Sequence, residues 1–283
     1  MRRCLLVIAA TLGFATSQLS AEAAPKSAEA DICEACKTAL DHTLDNARRA
    51  EDRARDEYRH PAETLAFFRV EPSMTVVDYM PSSGWYTRIL APYLGDKGHY
   101  IGLNPDVRTA TDAQKEYFAN LAGTFPAKAA EWTGLPADRI GAYNTDSLPE
   151  GLNGTVDRVL IFRELHNLHR FGWLHRELTT MRGLLKDGGL LGIVQHRAKA
   201  DAAASYTDGN KGYLREKDVI GLVEAHGFEL VAKREINANP RDTADYPVGV
   251  WTLPPVLATK TDEARYRAIG ESDRMTLLFR KRP

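Results

Sequence analysis

The sequence has few cysteines, almost no net charge and no apolar run long enough to cross a membrane easily. Its 37 basic and 38 acidic side chains nearly cancel, so no basic excess indicates nucleic-acid binding. A mean hydropathy of -0.37 excludes a polytopic membrane protein. With 283 residues, 43% of them hydrophobic and 27% charged, the chain has ordinary globular composition, enough for one large domain or two small ones.

The first 23 residues have the pattern of a secretory signal peptide. The basic start MRR precedes an apolar run, CLLVIAATLGFA, of about 12 residues, and AEA (Ala21 to Ala23) fits the small-x-small cleavage rule. The alternative is a buried N-terminal helix. Cleavage after Ala23 predicts a periplasmic or secreted protein, with no membrane span once the signal peptide is removed.

Two cysteines remain after cleavage, Cys33 and Cys36 in DICEACK. A zinc site needs two more ligands, and no second CxxC or HxxxH supplies them. A thioredoxin-like redox site needs a preceding strand, and no strand pattern precedes this motif. The spacing therefore favours a local disulfide or two thiols at a helix start, and a redox pair is the alternative.

A helical extension is predicted over residues 24–60. Residues 31–59 lack Gly and Pro, and Pro61 ends the run, which predicts one helix over 31–59. The second half, RRAEDRARDEYRH, is mostly charged and is typical of a solvated helix face, with partner binding as the alternative.

From residue 61 to 283, strand patterns alternate with helix patterns. The alternation predicts one α/β domain: a Rossmann-like, doubly wound, mostly parallel seven-stranded sheet with helices on both faces, plus the N-terminal helix. Strands are predicted within 74–80, 98–104, 139–148, 156–165, 189–197, 228–236 and 274–282. Residues 237–255 contain four prolines and are predicted to form a long loop that acts as a lid or substrate wall.

The stretch TVVDYMPSSGWYTRILAPYL, residues 75–94, has the shape of a nucleotide-binding strand, turn and helix. Most of the glycines that usually build such a turn are absent. With RHPAETLAFF, FRELHN, GGLLGIVQHR and NPRDTADYPVGVWTLPP, the stretch resembles the class I S-adenosylmethionine-dependent methyltransferases, specifically an exported subgroup of predicted methyltransferases. The resemblance runs from about Tyr58 to the C-terminus.

The resemblance implies that S-adenosylmethionine is the cofactor. Asp78 holds the acidic place of the motif, Met80 and Ser82 replace the first two glycines, and Gly84 keeps the third. Asn104 stands where the family has an acid for the ribose hydroxyls. The cofactor-binding residues it implies are Asp78, Pro81, Ser82, Ser83, Gly84, Tyr86, Asn104 and Asp146. For Asp146 a turn or capping role is the alternative, and for Tyr86 it is packing.

The segment after the fourth strand, FRELHN, is where the family places residues that contact the acceptor. Glu164, His166 and Asn167 are the candidate catalytic residues: His166 as general base and Asn167 to orient the nucleophile. A structural histidine is the alternative for His166. The predicted function is methyl transfer to a small-molecule or envelope acceptor. A non-catalytic binding module and a redox protein using Cys33 and Cys36 are the rival hypotheses.

Overall fold

A computed structural model of the chain describes residues 32–108, 110–118 and 121–283. The predicted signal peptide lies outside these residues. Among the helices that are described, none combines the length and the apolar character that crossing a membrane requires.

Seven strands form a single sheet in the order β3-β2-β1-β4-β5-β7-β6. Strands β1 to β5 run parallel to one another, and β7 runs antiparallel to both β5 and β6. The strands are β1 Thr75–Tyr79, β2 His99–Asn104, β3 Ile140–Asn144, β4 Val156–Phe162, β5 Leu185–His196, β6 Phe228–Arg234 and β7 Arg274–Lys281. The mostly parallel seven-stranded sheet predicted from the sequence is confirmed.

Helices cover both faces of this sheet. They are α1 Glu34–Leu44, α2 Asp56–Arg59, α3 Pro61–Phe67, α4 Thr87–Tyr93, α5 Asp112–Phe118, α6 Leu121–Thr133, α7 Leu165–Arg170, α8 Leu174–Leu184, α9 Glu216–Ala225 and α10 Glu263–Ile269. Adjacent residues of β1 point to opposite faces: Val76 packs with Ile89 of α4, while Val77 belongs to the core that includes Leu178 of α8. Two apolar cores, one on each face, therefore fix the sheet between the helices.

The single helix predicted over residues 31–59 is not what the structure contains. Helix α1 ends at Leu44, and the Asn46 side chain accepts a hydrogen bond from the Arg48 amide to start a short 3-10 turn. A second 3-10 turn precedes α2. Asn46 is a good capping residue and a poor helix-interior residue, because its side chain competes for backbone donors, so the helix breaks there.

The solvated face predicted for the charged run is only partly present: Arg48, Glu51, Arg53 and Glu57 are exposed, but other charged residues are not. Arg49 is fully buried and pairs with Asp56, with 2.7 Å between Nη2 and Oδ1. Asp52 pairs with Arg88 of α4. Part of the charged run is thus buried or half-buried, and its ion pairs help hold the N-terminal segment in place.

Cys33 and Cys36 form a disulfide at the start of α1. The local disulfide favoured by the sequence is therefore present in the structure. Neither cysteine lines the main cavity described below.

The proline-rich segment 237–255 is packed against the domain. Leu253 and Thr252 are fully buried, and Asn239 Nδ2 donates to the carbonyl oxygens of Ile269 and Glu271 at 2.9 and 2.6 Å. These bonds join the segment to the turn that precedes β7, and none of its residues lines the main cavity described below.

Candidate functional site

A cavity of about 580 Å³ opens at the carboxyl ends of β1, β2 and β4. Strand order reverses beside β1, which has β2 on one side and β4 on the other. Open α/β sheets bind ligands at this switch point, and ligand cavities typically measure roughly 300–1,000 Å³. The lining residues are Met80, Ser82, Ser83, Asn104, Ala113, Gln114, Phe118, Thr124, Phe125, Lys128, Trp132, Glu164, Asn167, Arg170 and Phe171.

The turn after β1 has left-handed backbone at three alternate positions. Met80, Ser82 and Gly84 have φ values of 54°, 53° and 75°. These are the three positions where the resembled family has glycine. A non-glycine residue in this region costs roughly 1–2 kcal/mol, so Met80 and Ser82 keep the glycine geometry under strain. The turn therefore retains its shape although two of its glycines are replaced.

Ser82 and Ser83 are exposed residues that line the cavity. Their amide N–H groups donate to no group in the described ranges, whereas the Gly84 amide donates to the Pro81 carbonyl at 2.9 Å. Free successive amides of this kind attract anionic groups. Pro81 is buried, and its carbonyl oxygen accepts the hydrogen bond from Gly84 that closes the turn.

Gly84 allows α6 to approach the turn. A Cβ added at Gly84 would lie 2.3 Å from Cζ3 of Trp132. No side chain fits there, so glycine is required both for its positive φ and for the packing of Trp132. Trp132 can form a cavity wall because position 84 has no side chain.

Of Asn104 and Asp146, both predicted to bind the cofactor, the structure places one at the cavity. Asn104, the last residue of β2, is part of the lining. Asp146 is not: its Oδ2 lies 4.0 Å from Arg108 Nε, and its Oδ1 is buried without a hydrogen-bond partner in the described chain.

Asp78 lies behind the turn, outside the cavity lining. Its Oδ2 accepts a hydrogen bond from the Tyr100 hydroxyl at 3.0 Å, and the Tyr100 and Thr87 hydroxyls are 2.8 Å apart. Burial raises the pKa of Asp78 to about 7, against the lowering effect of the Tyr100 hydrogen bond and of Arg163. Asp78, in β1, therefore contacts Tyr100 of β2 directly and Thr87 of α4 through the Tyr100 hydroxyl. These contacts help to fix the end of β1, from which the turn begins.

Tyr86 has the packing role that was its alternative. Its ring stacks on Phe162 with 3.4 Å between centroids, its side chain is buried, and it does not line the cavity.

Glu164 and Asn167 face the cavity together. Asn167 Nδ2 donates to Glu164 Oε2 at 2.6 Å, which fixes the carboxyl group. Burial raises the pKa of Glu164 to about 7, against the lowering effects of the Asn167 hydrogen bond and of Arg163. A carboxyl group with this pKa can accept a proton near neutral pH.

His166 lies away from the cavity. Its side chain is buried, its ring centroid is 5.8 Å from that of His196 and 5.9 Å from that of Trp251, and it is absent from the lining. Burial lowers the pKa of His166 to about 4, helped by Arg170. The structure thus separates His166 from Asn167 and Glu164, the two residues predicted to act with it.

Sequence reasoning missed the cavity wall that α6 forms beside the turn. Phe125, Lys128 and Trp132 lie on one face of α6, spaced three and four residues apart, and all three line the cavity. Arg170 and Phe171 complete the lining at the end of α7. The helical spacing of two aromatic residues around a lysine was the available signal, but it is also typical of a core-facing helix.

Solved structures that resemble this one over most of its length include the following two. A SAM-dependent methyltransferase from Aquifex aeolicus has a TM-score of 0.51 and 15% sequence identity, covering 87% of this chain and 98% of the other. The [4+2]-cyclase SpnF also has a TM-score of 0.51, with 16% identity, covering 84% of this chain and 85% of the other. No family model and no curated protein sequence matches the chain. The likeness establishes the shared fold.

Proposed function

We propose that this protein is an S-adenosylmethionine-dependent methyltransferase that acts, after export, on a small-molecule or envelope acceptor. The observation that carries the proposal is the turn after β1, where Met80, Ser82 and Gly84 all keep the left-handed backbone of a glycine-rich cofactor turn. Strain of this kind is retained at functional sites and is otherwise easily lost by mutation.

The residues around the cavity fit the cofactor. The free amides of Ser82 and Ser83 suit its carboxylate, and Asn104 can both donate to and accept from ribose hydroxyls. Phe125 and Trp132 offer aromatic faces for the adenine ring. When bound, the cofactor would supply a methyl group on a positively charged sulfur. An in-line nucleophile would attack the methyl carbon, with the sulfur as the leaving group.

Glu164 is the proposed proton acceptor. Its carboxylate takes the proton from an acceptor O–H or N–H group as the oxygen or nitrogen forms its bond to the methyl carbon. Asn167 holds the Glu164 carboxyl through the 2.6 Å hydrogen bond, and its own buried Oδ1 has no partner in the described chain. Glu164 thus takes the role that the sequence suggested for His166.

The proposal includes export. A signal-peptide pattern over residues 1–23 supports it, and so does the disulfide between Cys33 and Cys36, since disulfides persist in oxidising compartments.

Methyl transfer to the components of a cell-envelope extract, followed with isotopically labelled S-adenosylmethionine, tests the proposal. We expect labelled product with the wild-type protein and a rate that rises with pH through about 7, because Glu164 must be ionised to accept a proton. Glu164→Gln should reduce the rate by about 100-fold or more without weakening binding of S-adenosylhomocysteine.

Glu150→Gln, at an exposed position outside the cavity, is the matched control and should keep full activity. Equal activity of Glu164→Gln and wild type would remove Glu164 from the reaction. Tight binding without transfer to any component would favour a binding module.

A further inference from the structure

Arg170, the last residue of α7, places a guanidinium group at the wall of the main cavity. Its Cζ lies 4.4 Å from the centroid of the Phe171 ring and 5.9 Å from the centroid of the Trp251 ring. Both distances are within the range of about 6 Å over which a cation is attracted to an aromatic face. Phe171 also lines the cavity, whereas Trp251 belongs to the proline-rich segment and contacts Arg170 from outside the lining. Two rings therefore hold this positive charge in position.

The base of the Arg170 side chain is closely packed. Gly209, with φ of 93°, lies against α7: a Cβ added there would be 2.6 Å from the His166 carbonyl oxygen and 3.0 Å from Arg170 Cβ. Glycine permits this close approach because it has no Cβ and adopts positive φ freely. The turn at Gly209 thus restricts Arg170 at its base, and the two rings restrict it at its guanidinium.

The guanidinium of Arg170 has no polar partner in the described ranges. It donates no hydrogen bond and joins no ion pair with any residue there. A guanidinium carries five N–H donors, and Arg170 is exposed, so these donors are accessible from the cavity. A positioned cation with open donors can bind an anionic group.

The charges of the cavity lining also favour an anion. Its only charged side chains are those of Lys128, Glu164 and Arg170. Lys128 is exposed and, like Arg170, has no ion pair in the described chain. The pKa of Glu164, raised by burial to about 7, leaves its carboxyl group only partly ionised at neutral pH. The lining is therefore net positive, and the sulfonium of the proposed cofactor would add a further positive charge.

Arg170 lies at a useful distance from the proposed proton acceptor. Glu164 caps the start of α7, Asn167 is in its middle and Arg170 is its last residue, and all three line the cavity. Residues three apart are neighbours on a helix surface. At 1.5 Å per residue, Glu164 and Arg170 are about 9 Å apart along the helix axis. One small molecule can thus reach Arg170 at one end and Glu164 at the other.

We propose that Arg170 binds a carboxylate or phosphate group of the methyl acceptor, so that the acceptor is an anionic molecule whose nucleophile lies beside Glu164. This inference rests on the proposed methyltransferase function. Arginine suits the task because its planar fork binds carboxylate and phosphate through paired, charge-assisted hydrogen bonds. The contacts with Phe171 and Trp251 position the fork in advance, which reduces the side-chain freedom lost on binding.

Calorimetric titration of the purified protein with benzoate, phenyl phosphate and benzamide tests the site. Benzamide has the shape of benzoate without its charge. We expect wild type to bind at least one of the two anions about tenfold or more tightly than benzamide, and Arg170→Gln to lose this preference. Tighter binding of benzoate identifies a carboxylate acceptor, and tighter binding of phenyl phosphate a phosphorylated one. If wild type binds neither anion more tightly than benzamide, the proposal is overturned.

Two further variants show whether the effect belongs to the arginine fork at this position. Arg170→Lys keeps the charge without the fork, so its affinity for the anion should lie between those of wild type and Arg170→Gln. The matched control is Arg265→Gln: Arg265 is also exposed, with its Cζ 5.8 Å from the Tyr266 ring centroid, but it does not line the cavity. Its anion affinity should equal that of wild type, and an equal loss in both Gln variants would overturn the proposal.

A parallel titration with S-adenosylhomocysteine separates this inference from the proposed function. Arg170→Gln should bind S-adenosylhomocysteine as wild type does, and weaker binding would assign Arg170 to the cofactor instead. If wild type binds S-adenosylhomocysteine but its anion binding does not depend on Arg170, the anion site is wrong and the methyltransferase assignment stands. If an anion binds through Arg170 but S-adenosylhomocysteine does not bind, the assignment is overturned, and with it the role of the anion as a methyl acceptor.

Discussion

At the scale of single residues, the turn after β1 shows how a glycine motif can survive substitution. Ser82 has a left-handed backbone and Ser83 does not, in agreement with the alternate spacing of the motif, which puts Ser82 and not Ser83 at a glycine position. Glycine adopts positive φ without the penalty of a Cβ atom, so only one of the two serines is strained.

Ser82→Gly should therefore stabilise the protein, and Ser83→Gly should not. We expect the free energy of unfolding to rise by about 1 kcal/mol for Ser82→Gly, with unchanged or tighter binding of S-adenosylhomocysteine. Ser83→Gly should lower it by about 0.5 kcal/mol, because glycine gains freedom only in the unfolded chain there. Urea unfolding of both variants measures the difference, and destabilisation by Ser82→Gly would contradict the strained-turn account.

The sequence predicts which residues lie near the carboxyl end of a strand, and site residues could be predicted only to that extent. Five of the residues predicted to form the site do line the cavity: Ser82, Ser83, Asn104, Glu164 and Asn167. Asp78 lies within β1 and His166 shortly after β4, yet neither lines the cavity. A sequence gives the end of a strand, but the direction of one side chain there depends on local backbone, as at Arg163, whose φ of 64° is left-handed.

At the scale of secondary structure, strands were predictable because each carries its own apolar pattern. The apolar core of residues 156–165 became β4, Val156–Phe162. The N-terminal charged run was not predictable, since the Arg55 partner Glu271 lies 216 positions away. Local patterns cannot reveal that a charged side chain will be buried against a distant partner.

Glu271→Gln tests the attachment of the N-terminal segment. Removing the carboxylate leaves Arg59 and Arg274, both almost fully buried, without their counterion. We expect the free energy of unfolding to fall by about 3 kcal/mol, with faster proteolysis within residues 47–60. The control Glu263→Gln breaks an exposed pair with Arg267 and should cost no more than about 0.5 kcal/mol. Equal effects would show that the buried cluster does not hold the segment.

At the scale of the whole molecule, the buried carboxyl group of Asp78 connects stability to pH. The folded state raises the pKa of Asp78 from 3.8 to about 7. Between these values the folded protein holds a proton that the unfolded chain has lost, so stability falls as pH rises through this window. Asn cannot ionise, so Asp78→Asn lacks this contribution.

We therefore expect Asp78→Asn to gain stability relative to wild type as pH increases from 4 to 7. Chemical denaturation of both proteins at several pH values within the window measures the difference. A constant difference would show that Asp78 keeps its ordinary pKa in the folded protein, and that its burial does not govern the support of the turn.

The central claim is that the cavity beside the turn binds S-adenosylmethionine, and calorimetric titration with S-adenosylhomocysteine tests it most directly. We predict binding at micromolar concentration, about -8 kcal/mol, by the wild-type protein. Gly84→Ala should bind more weakly, because its Cβ would meet Trp132 at 2.3 Å and displace the cavity wall. If the folded wild-type protein does not bind, or if Gly84→Ala binds equally well, the cavity is not a cofactor site and the account is contradicted.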